Sequence, residues 1–582
     1  MKPGTKVGLA LAGFLVFSVV GFYAVENLRG KAVLEETFAR VSSDPGPKGF
    51  RAHDEFIPPD EENFYRAPIL ACLSEFRMDP DVTKDLWDRI QFDRPHDVEK
   101  LNSINLPFSQ GMRNEYYCGG FLNTGDIANE GIKKELIVWA DAFRNSSEYS
   151  VDDPTLSPSR QVLEAIDSRF GHELAALAKA AQNPYSYCPS LTLDENEASY
   201  EEPSLAFVFL RPMLNILSFR LLASLDSGDS DVFRETWVVY RKIIEGGMRG
   251  LNQTDLFSGA GYFDLLIEYA AIGIKAGQLS REDLLMVHRD LREFRFREVV
   301  EGSFAEEIIF NKTTFDAFKK RRVQTWERMR GGRPVGILEY LVQVAPEGWI
   351  DLNAASSMRW TYEEGVLPWR TLDFKSLRDF DTRLPDFDSL ETILAAGTWC
   401  PDKRFATDLA RIHVKKELTQ LACLLEVFNI DHGGYPEKLS ELIPEYLNEL
   451  PMDPFSGEMM KYFPDGNRYK LYSVGMNLTD DFGYVVRNEN GYNPPEGGDW
   501  VWGEGKQISL DEDLRREKAV FRIQSEAKRG EKFSDETFSE VWGRHVDEPS
   551  KPGNPAVEKF RRQRVIQKAR EKFKQDSTRP RP

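Results

Sequence analysis

The side chains best suited to bind a ligand lie in an acidic loop in the C-terminal part of the chain. Asp480, Asp481 and Asp499, together with Asn477 and Glu496, bracket a stretch rich in glycine, asparagine and proline. Ca²⁺ binds six to eight hard oxygens from carboxylates and carbonyls, which such a loop contains. A cation would neutralise these carboxylates and fix the loop. The alternative is a solvated acidic loop that binds no ligand.

The motifs of common catalytic sites are absent from the sequence. There is no Gly-x-x-x-x-Gly-Lys-Ser/Thr, no Gly-x-Gly-x-x-Gly, no His-Glu-x-x-His and no Gly-x-Ser-x-Gly. The five cysteines form no Cys-x-x-Cys, and the seven histidines are scattered. No catalytic or cofactor-binding residue is therefore assigned. An extracytoplasmic hydrolase with a site in residues 60–400 stays an alternative, because residues distant in sequence can converge in a fold.

The composition is that of a folded, acidic protein. Of the 582 residues, 41% are hydrophobic and 12% aromatic, which is enough for a sizeable core. The formal net charge is −19. We do not expect binding to nucleic acid, because neutralising phosphates requires basic surface. Five cysteines are also too few for a dense disulfide framework.

An apolar run near the N-terminus predicts a transmembrane anchor. Residues 7–25 carry no charge, and at about 1.5 Å per residue a helix of this length nearly spans the ~30 Å hydrocarbon core. Lys2 and Lys6 precede the run, which places the N-terminus in the cytoplasm and the rest of the chain outside it. A cleaved signal peptide is the alternative, although the run is longer than the usual signal core.

The hydrophobic pattern and the turn residues divide the chain into six regions. Helical stripes joined by short turns in the middle indicate hairpins that either dock a protein or simply pack together. The regions are the anchor (1–30), a mixed helical region (31–200), stacked helical hairpins (201–300), an irregular or helical region with a linker (301–403), a small α+β domain (404–503) and a charged tail (504–582).

Several local signals predict where the helices begin and end. Pro212 suits the first turn of a helix, and Ser280 with Asp283 has the pattern of a capping box. A helix beginning near Met358 is expected to end before Pro368, since proline lacks the backbone donor. Residues 373–388 are rich in Asp, Arg and Pro and predict a linker.

A long amphipathic helix followed by a short sheet is predicted in the C-terminal part. Apolar residues recur at helical spacing through residues 404–430. Residues 460–463 and 468–474 alternate apolar and polar side chains, and Asp465-Gly466 between them is a hairpin signal. Val501-Trp502 provides a third short strand.

The motifs of this region resemble, in the same order, the C-terminal domain of the major pseudopilin of type II secretion systems. They are Gly434-Tyr435-Pro436, Leu442-Ile443-Pro444-Glu445-Tyr446-Leu447, Leu450-Pro451-Met452-Asp453-Pro454-Phe455, Tyr469-Lys470-Leu471-Tyr472-Ser473-Val474-Gly475 and Asp499-Trp500-Val501-Trp502. The resemblance covers about residues 405–502. It implies a long helix on a small antiparallel sheet, and Ca²⁺ held in the acidic loop by Asp480, Asp481 and Asp499.

The chain departs from that family before and within the shared segment. Pseudopilins carry this helix directly out of the membrane and have a Glu near the start of the anchor. Here residues 7–25 contain no Glu, and the matching helix begins only near residue 405. Phe482 and the insert at 484–498 also change the acidic loop. We therefore do not expect the protein to polymerise as a pilin does.

These observations predict a mainly α protein with an N-terminal transmembrane helix, a helical-hairpin middle and a small pseudopilin-like α+β domain. The expected location is the bacterial inner membrane, single-pass, with the bulk of the chain in the periplasm. We expect a non-enzymatic interaction or assembly component whose partners are proteins of the envelope or secretion apparatus. Residues 551–582 hold 11 basic and 3 acidic residues. We expect this tail either to contact an anionic surface or partner or to extend freely. The oligomeric state does not follow from the sequence.

Overall fold

The structure is a computed structural model, and it describes the greater part of the chain. The described residues are 3–43, 59–67, 136–141, 143–144, 155–187, 205–248, 253–320, 345–383, 394–395, 403–465, 468–487, 498–502 and 506–509, with the single residues 70, 133, 151, 153 and 392. The tail beyond residue 509 lies outside them, and so do Cys72, Cys118, Cys188 and Cys400. Predictions for those residues stay predictions.

The described part is mainly helical and carries a small antiparallel sheet, as the sequence predicts. The helices are α1 (Pro3–Ser43), α2 (Pro158–Ala180), α3 (Leu205–Ser227), α4 (Ser230–Met248), α5 (Gln253–Lys275), α6 (Arg281–Glu293), α7 (Phe296–Lys320), α8 (Glu347–Trp360), α9 (Leu367–Thr371) and α10 (Lys403–His432). The strands are β1 (Lys461–Asp465), β2 (Arg468–Ser473), β3 (Tyr484–Arg487), β4 (Trp500–Trp502) and β5 (Lys506–Ser509). Short 3₁₀ helices occupy Asp60–Glu62, Phe64–Arg66, Lys375–Arg383 and Leu439–Leu442.

Helices joined by short turns build the middle of the chain. α3 packs against α4, and α4 packs against α5. The predicted capping box at the start of α6 is confirmed: the Ser280 hydroxyl accepts from the Asp283 N–H, and the Asp283 carboxylate accepts from the Ser280 N–H at 3.0 Å. The prediction for Pro212 is wrong, because α3 begins at Leu205 and the proline lies inside it.

A π-helical turn, Thr361–Val366, joins α8 to α9. Within it the Leu367 N–H donates to the Tyr362 carbonyl, five residues back. Pro368 has no N–H to offer the Glu364 carbonyl, so a regular α-helical ladder cannot continue there. The wider turn carries the chain into α9, and the predicted helix end before Pro368 is wrong.

Helix α10 is built into the same continuous core as the middle helices. It packs on α5 and α6 and also on β2 and β4. Buried residues occur along most of its length, and they include Arg411, Lys415 and Lys416. A charged residue is buried at low free-energy cost only when it is paired, so this helix needs partners from the body.

The first part of the predicted linker packs into this core. Phe374, Leu377 and Phe380 are each at most 2% exposed, and they recur at the three-residue spacing of a 3₁₀ helix. The Phe374 N–H donates to the Pro454 carbonyl at 3.0 Å. The linker prediction is therefore wrong for this stretch, because it weighed the polar content and overlooked the apolar spacing.

The C-terminal sheet has the strand order β1–β2–β4 and is antiparallel. β1 and β2 form the predicted hairpin, in which Lys461 pairs with Tyr472. β4 is the predicted third strand, and Val501 pairs with the same Tyr472. β3 and β5 form a separate parallel pair that the sequence did not predict. β5 lies in the stretch assigned from the sequence to the charged tail.

Helix α1 runs without interruption from Pro3 to Ser43 and packs along α8. It contains the apolar run of residues 7–25, of which the side chains of residues 7–13 and 15 lie outside the described residues. Across the part of the chain that the structure describes, no helix is long and apolar enough to cross a membrane.

Candidate functional site

Asp499 is the buried centre of the acidic loop. The residue is 2% exposed, and its two carboxylate oxygens accept hydrogen bonds from the N–H groups of Asp481 at 3.1 Å and Gly483 at 2.6 Å. Gly483 has φ +76°, a conformation that a residue with a Cβ rarely adopts. Asp499 stands directly before β4 and thereby ties the loop to the sheet.

The other two predicted ligands lie in the same loop. The Asp480 carboxylate accepts from the Tyr472 hydroxyl at 2.8 Å and from the Phe482 N–H at 3.1 Å. The Asp481 carboxylate accepts from the Asn477 side-chain amide at 2.7 Å. The structure therefore brings the three sequence-predicted aspartates together, whereas Glu496 lies outside the described residues.

The charge of the loop is poorly compensated. Burial raises the pKa of Asp499 well above its ordinary value, and the nearby Asp481 and Asp480 carboxylates raise it further. The two backbone N–H groups lower it only in part. A bound cation would neutralise this charge. However, no group of three or more His, Cys, Asp or Glu side chains among the described residues is arranged to hold a metal ion. The described residues thus supply the charge for a cation but not a complete ligand set.

Asp453, in the Leu-Pro-Met-Asp-Pro-Phe motif, has a structural role. It is fully buried, and one carboxylate oxygen accepts from the Phe455 N–H at 3.0 Å and the Ser473 hydroxyl at 2.9 Å. The other accepts from the Val474 N–H at 3.0 Å. Asp453 therefore joins the turn before β1 to the end of β2. The groups that donate to its carboxylate belong to the protein itself, so this residue acts in the fold.

The crossing of α1 and α8 fixes the N-terminal helix to the body. The Gly348 N–H donates to the Asn27 side-chain oxygen at 2.9 Å, and the Trp349 indole N–H donates to the Glu26 carboxylate at 3.0 Å. A Cβ added to Gly30 would overlap the backbone of Gly348. Only glycines allow this approach, so the end of the apolar run is held at a defined place.

Apart from Ser18 and the half-buried Tyr23, the described side chains around and before this crossing are mostly apolar and exposed. The residues are Phe14, Val16, Phe17, Val19, Val20, Phe22, Val25 and Leu28, with exposed fractions from 48% to 77%. At about 100° per residue these positions point in all directions around the helix axis. An amphipathic surface helix shows one apolar face only, so this segment has no polar face to turn to water.

A buried ion network holds α10 against α5. The Lys415 ammonium lies 2.9 Å from the Asp264 carboxylate and 2.6 Å from the Glu268 carboxylate. Burial raises the pKa of Glu268 to about 7, and Lys415 opposes that shift. The pKa of Lys415 is raised by both carboxylates against the effect of burial, so the lysine stays charged. The network fastens the C-terminal helix to the body.

Two other buried titratable groups lack partners of the kind that catalysis requires. His413 is buried beside Trp369 and Phe374, and burial lowers its pKa to about 4. Glu307 is 5% exposed, and burial alone raises its pKa to about 8. Neither has a nucleophile within hydrogen-bond distance among the described residues, so neither forms an acid–base pair of the kind that general catalysis uses.

A polar cavity of about 520 Å³ opens where α4, the end of α6 and the start of α7 meet. Its lining is Pro184, Arg241, Lys242, Glu245, Arg292, Glu293, Arg295 and Glu298. The cavity lies within residues 60–400, the region in which an enzyme site was the alternative from the sequence. Among the described residues that line it there is no serine, cysteine or histidine, so the lining offers charge recognition rather than a nucleophile. We call it the arginine cleft.

The chain matches no known protein family, curated protein or solved structure. The interpretation of residues 405–502 as pseudopilin-like therefore rests on the order of the motifs in this sequence.

Sequence reasoning missed the arginine cleft and the α1–α8 crossing. The cleft residues come from three helices, and on each helix alone they look like ordinary solvated charges. Gly30 and Gly348 stand in no motif, and their separation along the chain hides their contact. The sequence signal for such a close helix crossing was an isolated glycine in each of the two helical segments.

Proposed function

We propose that the protein is a membrane-anchored, non-enzymatic scaffold of the bacterial envelope. It would hold a rigid helical body, with a pseudopilin-like module built into it, next to the inner membrane for assembly with other proteins. The observation that carries this proposal is the α1 helix, which is exposed and apolar on all sides before Glu26 and locked to α8 directly after it.

Lipid is the environment that suits the first part of α1. Apolar surface of this extent on all sides of a helix is stable in a bilayer or a protein core, and here the described elements leave most of it uncovered. Trp349 lies beside Phe22 at a ring distance of 6.1 Å, at the end of the apolar run. Tryptophan favours the membrane–water interface, which fits this position.

The arrangement of α10 supports an interaction role instead of polymerisation. In a pilin the long helix leaves the membrane directly, whereas here α10 is fastened to α5 by Lys415 and to the sheet by packing. The helix-on-sheet arrangement at residues 403–502 agrees with the pseudopilin resemblance. A module fixed in this way would present its loops to partner proteins, which supports a link with secretion machinery by analogy alone.

Membrane extraction tests the anchor. Full-length protein should sediment with membranes and resist alkaline carbonate, and the variant Phe14→Asp/Phe17→Asp should be released, because charge in the bilayer core is unfavourable. The control Ile137→Asp/Ile430→Asp changes two exposed apolar residues of the body and should stay in the membrane. Release of the unaltered protein by carbonate, or equal behaviour of the two variants, would overturn the proposal.

A further inference from the structure

We propose that the arginine cleft binds a mixed-charge peptide segment of a partner protein, whose carboxylates meet Arg241, Arg292 and Arg295. This inference deepens the proposed function, on which it rests, because it names where the scaffold takes a partner. The cavity volume of about 520 Å³ is within the range of ligand-binding pockets.

Arg241 forms the inner part of the cleft and has donors to spare. Its side chain is 12% exposed, and it makes one hydrogen bond within the described structure, a long one of 3.4 Å to Glu245. Its Nε lies 3.7 Å from Asp290, and this buried atom makes no hydrogen bond. A guanidinium carries five N–H donors and binds a carboxylate through two of them. Arg241 is thus held by one long hydrogen bond and one ion pair, and its terminal nitrogens keep N–H donors for a carboxylate in the cleft.

Arg292 and Arg295 stand at the rim of the cleft. They follow one another closely across the short connection between α6 and α7, and both residues line the same opening. Their side chains form no hydrogen bond or ion pair with any described residue, although Glu293 and Glu298 line the same cavity. At the rim, charges of both signs thus lie side by side without forming ion pairs with one another.

The acidic lining decides the class of ligand. A small polyanion such as phosphate would meet the carboxylates of Glu245, Glu293 and Glu298 as well as the cations, and their repulsion would weaken binding. A peptide with alternating acidic and basic side chains matches both signs. Charge complementarity therefore favours a mixed-charge peptide over a small anion.

The wall of the cleft is already rigid. The Lys242 ammonium donates to the carbonyls of Asn183 at 2.9 Å and Pro184 at 3.0 Å, and the Ser186 hydroxyl donates to the Lys242 carbonyl at 2.5 Å. These bonds fix the segment after α2 against α4. A site that is ordered before binding loses less entropy when it takes a ligand.

Peptide binding to the full-length protein in detergent micelles tests the proposal. The probes are short fluorescent peptides of equal length: alternating Glu-Lys, all-Glu, all-Lys and Ser-Gly. By fluorescence anisotropy the alternating peptide should bind most tightly, and the affinity should fall at high salt. The variant Arg292→Gln/Arg295→Gln should weaken binding about tenfold or more, since two charge-assisted contacts are lost. The control Arg289→Gln/Arg404→Gln removes two exposed arginines outside the cleft and should leave the affinity unchanged.

Three results would overturn the proposal. One is equal affinity of the cleft variant and the control variant. Another is binding of the all-Glu peptide as tight as that of the alternating peptide, and the third is displacement of the peptide by inorganic phosphate, which would assign a small-anion site. The variant Glu293→Gln/Glu298→Gln should bind the all-Glu peptide better than the unaltered protein does. None of these readouts depends on a bilayer, so failure here is distinguishable from failure of the membrane anchor.

Discussion

Gly30 of α1 and Gly348 of α8 lie at a helix crossing so close that a Cβ on either residue would overlap the backbone of the opposite helix. The Gly348 N–H also donates to Asn27, one turn of α1 away from the contact. This crossing connects the N-terminal helix to the body, and the position of the body relative to a membrane depends on it.

Gly348→Ala should separate α1 from α8. The added methyl group meets backbone atoms, which cannot move aside, so we expect a loss of about 2–3 kcal/mol in the free energy of unfolding. Urea denaturation followed by tryptophan fluorescence measures it. Gly302→Ala is the matched control, because nothing lies within 4 Å of its Cβ position in α7, and alanine there should be neutral or slightly stabilising. Equal effects of the two substitutions would contradict the close crossing.

Asp453→Asn should destabilise the C-terminal module. The carboxylate accepts three hydrogen bonds from Phe455, Ser473 and Val474. In an asparagine, the NH2 group replaces one of the two accepting oxygens and cannot accept a hydrogen bond. We expect a loss of about 2–3 kcal/mol in urea denaturation, because buried donors are left unpaired. The exposed control Asp231→Asn should change stability little. A stability of the Asp453 variant equal to that of the control would show that this carboxylate does not join the turn to β2.

Glu307→Gln should change how stability depends on pH. Burial raises the pKa of Glu307 to about 8 in the folded state, above its unfolded value of about 4.5. The folded state therefore holds a proton that the unfolded state releases, and the free energy of unfolding falls as pH rises from about 4.5 to about 8. Glutamine removes this contribution, so the variant should match the unaltered protein at the acidic end and exceed it by a few kcal/mol near pH 8. Glu298→Gln, exposed on the same helix, should show no such divergence. Parallel pH profiles for Glu307→Gln and the unaltered protein would contradict the burial of a lone carboxyl group.

Calcium should stabilise the acidic loop if the predicted site binds it. The three aspartates share one loop, and Asp499 is held at a raised pKa by burial and by its two neighbours. We expect Ca²⁺ to raise the thermal midpoint of the unaltered protein and to leave that of Asp480→Asn/Asp481→Asn unchanged, with Mg²⁺ as the ionic control. An equal rise for the double variant, or no rise in the unaltered protein, would leave the loop as a solvated acidic loop.

The elements that local sequence rules govern could be predicted, and those that long-range packing governs could not. The Ser280–Asp283 capping box and the hairpin around Asp465 depend on residues close in sequence, and both were predicted correctly. Phe374 was assigned to a linker because its contacts with Pro454 are invisible in its own segment. The predicted helix end before Pro368 was wrong for another reason. A π-helical turn keeps the backbone helical up to α9, although Pro368 has no N–H to donate.

The same contrast between local sequence signals and long-range packing applies to the candidate sites. Asp480, Asp481 and Asp499 were found because they cluster in sequence and fill motif positions. Arg241 and Arg295 were not, because three separate helices bring the lining of their cleft together. Charged residues on single helices carry no mark that distinguishes a binding cleft from a solvated face.

The depth of α1 in a bilayer tests the central claim most directly. Nitroxide labels at Phe17 and Arg29, in full-length protein without its native cysteines and reconstituted in lipid nanodiscs, report accessibility to oxygen and to a water-soluble relaxing agent. We expect oxygen alone to reach the label at Phe17 and the water-soluble agent to reach the label at Arg29. Water accessibility at both positions would contradict a membrane-anchored scaffold.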